Sequence, residues 1–182
     1  MSLVGYSAKN HPQQTRKRGA RPEIDERAIT VEDFAPLQDR FHFTIDAAAT
    51  ARNARLSRYW TANDDALTES WTNERVWCNP PHSNIEPWLQ KAWQQHLWGC
   101  PLIVMLLPSN RTEQGWWQRW VEPHLRQRNA AFSVEFLPGR MRFLAPHADS
   151  IKPNERPPYG CCLLIWDGWQ RVSRTGSSGG LS

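Results

Sequence analysis

Cysteine is scarce in this chain and none of it is paired for chemistry. Cys78, Cys100, Cys161 and Cys162 are the only four in 182 residues, and no C-x-x-C occurs. A zinc site needs thiolates and imidazoles at short fixed spacings, and that spacing is absent. Three of the four lie in or beside apolar strand-like runs, so buried free thiols in a reducing compartment are expected. Long apolar runs are missing too. A bilayer span needs about 20 apolar residues, and the beginning of the sequence has no secretory apolar region. A cytoplasmic protein with no membrane partner and no metal is expected. Residues 1–22 lack any acid but carry Lys9, Arg16, Lys17, Arg18 and Arg21. With no apolar periodicity, they read as a disordered basic arm, either a solvated tail or a segment that tracks phosphates. No G-x-G occurs, so the glycine fingerprint of dinucleotide folds is absent.

Tryptophan is abundant, with 11 residues, and the net charge is +4. A mildly basic chain permits a polyanionic partner without requiring one. The length suits one domain with a sizeable core, assigned to residues 23–170, followed by a flexible Ser/Gly-rich tail at 171–182.

The chain is organised around Val76-Trp77-Cys78-Asn79-Pro80-Pro81-His82-Ser83. Arg75 to Cys78 reads as a strand that stops at an amide, two prolines and an aromatic ring. Proline has no N–H and fixes φ, so two in a row end the ladder and hold the backbone stiff. The Asn79 carboxamide and the free carbonyls then point into a crevice at the strand's carboxyl end, where open α/β sheets bind ligands. This arrangement suits methylation of an amino group conjugated to a ring. Such a nitrogen is a weak nucleophile because its lone pair is delocalised. Two oxygen acceptors, the Asn79 amide and the Pro80 carbonyl, take hydrogen bonds from its N–H groups and turn the lone pair outward. An adjacent ring stacks on the base. The same residues also suit a strand that merely ends in a rigid turn.

Further segments stand in a fixed order. They are Phe43-Thr44-Ile45-Asp46-Ala47-Ala48-Ala49, Asn53-Ala54, Tyr59-Trp60-Thr61 with Asp65-Ala66-Leu67, and Trp71. Trp88-Leu89-Gln90-Lys91-Ala92, Val104-Met105-Leu106-Leu107-Pro108, Phe136-Leu137-Pro138-Gly139-Arg140-Met141-Arg142-Phe143 and Pro158-Tyr159-Gly160 follow the central motif. Together they resemble the phage DNA N-6-adenine methyltransferase (Dam) family over roughly residues 30 to 168.

The resemblance implies an α/β, Rossmann-like methyltransferase fold with a mostly parallel central sheet and a C-terminal antiparallel hairpin. It implies S-adenosylmethionine as cofactor and adenine in DNA as target. Asp46, Ala47 and Ala48 would form the cofactor loop, with Asp46 nearest the methionine end. Asp65 would face the adenosine, and Thr30 would stand at the pocket edge, where many relatives carry Thr-Pro. Asn79, Pro80, Pro81 and His82 would form the catalytic motif. The family usually has Tyr or Phe at the position of His82, and imidazole stacks over less area.

Elsewhere the pattern is read locally. Thr30 caps a helix with an apolar face of Phe34, Leu37 and Phe41. Phe41 to Asp46 and Arg58 to Thr61 read as short strands, and about 28 residues between Asp46 and Arg75 leave room for only a reduced crossover. Ile85, Trp88, Leu89, Ala92, Trp93 and Leu97 recur at helical spacing, with Gly99 and Pro101 as stop signals and His96 on the surface. Leu102 to Leu107 is a strand buried on both faces. Ser109, Asn110 and Arg111 at its carboxyl end suit a nucleotide, a phosphate or a helix cap. A helix carrying Trp117, Trp120 and Val121 inward and Trp116 more exposed ends near Pro123. Phe132 to Leu137 and Met141 to Leu144 read as a hairpin about Pro138-Gly139. The proline-rich loop at 145–158, with Arg140, Arg142, Lys152 and Arg156, is the candidate DNA reader.

Two alternatives stay open on sequence. The same motif suits an RNA base or a protein glutamine amide, whose nitrogens are equally weak nucleophiles. A DNA-binding protein with a decayed methyltransferase fold would also carry these segments.

Overall fold

The computed structural model describes residues 28–127, 131–144 and 159–168. The basic arm, the Ser/Gly-rich tail and the loop holding Lys152 and Arg156 lie outside the described residues. Chain order is β1 (Ala28–Ile29), α1 (Val31–Phe41), β2 (Ile45–Asp46), β3 (Arg75–Cys78), α2 (Glu86–Leu97) and β4 (Leu102–Pro108). Then come α3 (Gly115–Trp120), α4 (Glu122–Arg126), β5 (Phe132–Phe136), β6 (Phe143–Leu144) and β7 (Cys161–Asp167).

Five strands form one sheet in the order β2-β3-β4-β7-β5. β2, β3 and β4 are parallel, with Ile45 opposite Val76 and Arg75 opposite Leu102. β7 runs antiparallel to both β4 and β5, so four strands share one direction. The mixed α/β class and the mostly parallel sheet are therefore as expected. The hairpin is not. β5 pairs with β7, while β6 leaves the main sheet and pairs antiparallel with β1. The Pro138-Gly139 turn bends the chain, with Gly139 at φ 73°, but the strands on its two sides serve different sheets.

β4 is buried along its whole length because helices cover both faces. Ile103, Met105 and Leu107 face a cluster with Leu89, Trp93, Trp117, Leu164 and Trp166. Leu102, Val104 and Leu106 face the other side, with Phe34, Leu37, Phe41, Trp77 and Leu163. The alternation follows from the two-residue period of a strand. So α1 lies on one face and the elements from α2 to α4 on the other. All four cysteines are buried free thiols.

Thr30 is the N-cap of α1, its hydroxyl accepting from the Asp33 N–H at 3.1 Å. α1 runs to Phe41, so the strand expected from Phe41 shrinks to Ile45–Asp46. Residues 47–74 contain turns but no helix, as the short spacing required. The Arg58–Thr61 strand reduces to a parallel bridge between Asp46 and Tyr59. Two side chains depart from the sequence reading. His96 is buried at 3% exposure, because α2 has the sheet on one side and other side chains close around its last turn. Trp116 is buried too, while Trp120 is the more exposed of its group. The helix breaks at Val121 (φ −118°), and Pro123 then sits in the first turn of α4. That break rotates the two short helices relative to a single periodic face.

Candidate active site

The site forms where β2 and β3 stop side by side. The Ala47 N–H donates to the Trp77 carbonyl at 2.8 Å, which keeps the two strand ends in step. One residue later each chain leaves the sheet, β2 into Ala47-Ala48-Ala49 and β3 into Asn79-Pro80-Pro81. A third segment joins them: the Ala49 N–H donates to the Trp60 carbonyl and the Trp60 N–H to the Asp46 carbonyl, at 3.0 and 2.9 Å. The loop after β2 closes on itself through reciprocal bonds. Asn53 Oδ1 accepts from the Thr50 N–H at 2.6 Å, and Thr50 Oγ1 accepts from the Asn53 N–H at 3.3 Å.

Between these segments lies a cavity of about 290 Å³, at the lower end of the range for small-molecule sites. Its wall runs from Ala47-Ala48-Ala49-Thr50 through Trp60, Thr61 and Asp65 to Asn79, Pro81 and Trp88. Three small side chains in a row bring the backbone close to whatever occupies it. Asp65 stands in the left-handed region at φ 51°, a conformation Asp tolerates in turns, and its Oδ1 accepts from the Leu67 N–H at 3.3 Å.

Of the residues singled out on sequence, Ala47, Ala48, Asp65, Asn79 and Pro81 line this cavity. Asp46 is not on its wall. It is 3% exposed, and its carboxylate accepts from the Ala48 and Arg55 backbone N–H groups at 3.4 and 3.1 Å. Burial pushes the Asp46 carboxyl up to about 6 against the lowering effect of those bonds and of the nearby Arg55 charge. Asp46 therefore shapes the loop from beneath. Thr30 is likewise buried and spent on capping α1. Pro80 is buried beside the wall.

His82 is half-buried, its Nε2 is shielded from solvent, and it is not among the lining residues. Its carbonyl accepts from Arg111 Nη1 at 3.2 Å. This bond links the polar segment after β4 to the Asn79-Pro80-Pro81-His82 segment after β3, which the sequence did not signal. Ser109 donates its N–H to the Gly160 carbonyl at 3.0 Å, and Asn110 is exposed. Arg140 is exposed, whereas Arg142 is engaged with Asp33, Nη2 to Oδ1 at 3.2 Å. Burial opposes ionisation of Asp33, but the Arg142 bonds outweigh it and hold the carboxyl below its usual range.

The sequence reading missed Asn53, Trp60, Thr61 and Trp88 as wall residues. Asn53 had a signal, since a Thr and an Asn close together favour a turn closed by side-chain-to-backbone bonds. Lys91, behind the wall, is 7% exposed and lies 5.9 Å from the centre of the Trp71 ring. Burial lowers its pKa, partly offset by Glu69 and Asp65. The Cys78 thiol, fully buried beside the motif, is pushed well above its usual range by burial and then by Asp46. Among the described residues no group of three or more His, Cys, Asp or Glu could hold a metal, and no helix is long and apolar enough to cross a membrane.

A mixed α/β sheet with a cleft at the carboxyl ends of its parallel strands is compatible with a methyltransferase fold. Residues 22–178 match the family described as DNA N-6-adenine-methyltransferase (Dam), and the chain belongs to that family. It is similar to the DNA N-6-adenine-methyltransferase of Haemophilus phage HP1 (strain HP1c1), 32% identical over 74 residues, 41% of this chain and 43% of that protein. It is also similar to the DNA N-6-adenine-methyltransferase of Escherichia phage T1, 28% identical over 109 residues, 59% of this chain and 42% of that protein. The matches span less than half the length of each relative.

Proposed function

We propose that this chain methylates the exocyclic N6 amine of adenine in DNA, with S-adenosylmethionine as donor, on a Rossmann-like scaffold. The observation that carries the reading is one continuous cavity reaching from the Ala47–Thr50 loop to Asn79. The residues fit such a donor: three alanines let the backbone approach it, and Asp65 offers a carboxylate at the same wall. When bound, the donor supplies a methyl group on a positively charged sulfur.

The rest falls to the chain. The target base leaves the duplex stack, at a cost of about a few kcal/mol. Asn79 accepts a hydrogen bond from the adenine amine, and the Pro80 carbonyl, one peptide further on, is the second acceptor. These bonds draw the nitrogen towards tetrahedral geometry and aim its lone pair into the cavity. The two prolines hold both acceptors in place before the base arrives, so little reorganisation is needed at the moment of reaction. Arg140, Ser109 and Asn110 supply polar contacts to DNA, together with Lys152 and Arg156.

The test is methyl transfer from labelled donor to DNA, RNA and protein in parallel, with digestion of the nucleic acid to nucleosides. Label in DNA, recovered as N6-methyldeoxyadenosine, is the expected result. Label only in RNA or protein, or donor-independent DNA binding with no label at all, would replace this reading with one of the alternatives.

A further inference from the structure

We propose that Trp88, and not the ring at position 82, is the surface on which the extruded base lies; this rests on the methyltransferase reading above. A base gripped at its edge by Asn79 still needs a flat partner to set its tilt. The ring expected for that task on sequence is His82. It is not on the cavity wall, its Nε2 is shielded from solvent, and Arg111 fixes its carbonyl. Trp88 is on the wall, together with Asn79 and Pro81.

Chain geometry explains why. The Asn84 N–H donates to the Pro81 carbonyl at 3.2 Å, turning the chain directly from the motif into α2. The Trp88 N–H donates to the Ile85 carbonyl at 3.1 Å, so the residue stands on the first helical turn above the motif. Its indole is half-buried, packed at the margin of the core and open on the cavity side. The other indole of the wall, Trp60, already stacks on Trp71 with ring centres 6.4 Å apart at 24°. Among the described residues no aromatic ring stacks on Trp88, so a base stacking there displaces no ring partner. Indole offers more area than imidazole and carries no charge at any working pH, so it suits an apolar base face. Stacking tolerates any base, so Trp88 captures while Asn79 selects the amine.

The experiment maps the adenine that the wild-type protein methylates in a duplex and replaces that adenine by 2-aminopurine. Fluorescence is then read with wild type, Trp88→Phe, Trp88→Leu and Trp88→Ala. Quenched emission is expected with wild type and Trp88→Phe, and bright emission with the Leu and Ala variants, because a flipped base without a stacking partner is no longer quenched. With the unmodified duplex, KM for DNA should rise roughly tenfold to hundredfold in Trp88→Ala and recover in part in Trp88→Phe. KM for the methyl donor should change less than about twofold, well below the DNA effect. Trp88→Leu keeps an apolar packing residue on α2, so it answers the question if Trp88→Ala does not fold. Emission that stays quenched in Trp88→Leu, or that brightens instead in His82→Ala, overturns the role of Trp88 and leaves the reaction standing. A wild-type protein that methylates no adenine overturns both.

Discussion

On one side of β4 the sheet is parallel and short, with two residues in β2 and four in β3. On the other side it is antiparallel and longer, with seven residues in β7 and five in β5. The longer side carries an aromatic cluster in which Trp93 stacks on His124 at 3.7 Å and meets Phe132 and Trp166 at 5.0 and 5.5 Å. The shorter side spends its residues on loops, and those loops make the cavity. Ladder bonds and apolar contacts hold the antiparallel half. The parallel half has apolar contacts of its own, Trp77 meeting Phe34 and Phe43 at 5.3 and 5.5 Å, and its loops are held by side-chain-to-backbone bonds such as those of Asp46, Thr50 and Asn53. The Phe132–Trp166 cluster and the cavity thus lie on different sides of one central strand.

Substitutions on the two sides should separate stability from turnover. Trp166→Ala, at a position with no exposure, should cost about 3–5 kcal/mol of stability, read by denaturant unfolding. Turnover per folded molecule should stay near the wild-type value. A large turnover loss with little stability loss would erase the division. Asn79→Ala should do the reverse. Turnover should fall by about 10²–10³-fold, read by labelled methyl transfer, with donor affinity and melting temperature nearly unchanged. Full activity in that variant would remove Asn79 from the mechanism.

Asp46 tests the loop half through pH. Its folded pKa of about 6 lies above the ordinary value of 3.8, so between these pH values the folded chain binds more protons than the unfolded one. Its contribution is therefore full below about pH 4 and is lost as pH rises through about 6, a change of about 3 kcal/mol. The stability difference between wild type and Asp46→Asn, followed from pH 4 to 7, should show that fall and then level off. A flat difference would mean that the carboxyl is not desolvated. Arg111→Ala should have the smallest effect, about a tenfold loss of turnover, from removal of one charge-assisted bond to the His82 carbonyl. Arg111→Lys should restore little of it, since an ammonium on a flexible stem does not reproduce the fixed guanidinium reach. A Lys variant with full activity would reduce Arg111 to a general positive charge.

Much of this arrangement is legible in the chain. Leu102 to Leu107 could only be a strand covered on both faces, and it is the middle of the sheet. The stop at Asn79-Pro80-Pro81 put an amide at a strand's carboxyl end, and Asn79 lines the cavity there. Pairings of very short segments were not legible. β1 and β6 hold two residues each, too few for a period to register, and their pairing joins Ile29 to Phe143 across most of the chain. Orientation of single polar groups was equally hidden. Asp46 and His82 stand next to the cavity in sequence, but only the folded chain shows that neither is on its wall. His96 looked exposed by helical spacing, but a helix end closed in by tertiary contacts buries residues that its own periodicity leaves outside.

The sequence by itself determined the class, the family and the point where the backbone must leave the sheet, because apolar period, proline chemistry and ordered motifs are local properties. Only the tertiary structure decided which side chains share the cavity. Asp46 was turned under the loop, the carbonyl of His82 was tied to Arg111, and Trp88 was brought to the wall beside Asn79. Those outcomes depend on how residues distant in sequence compete for the same space and the same hydrogen bonds, and no local pattern encodes that competition.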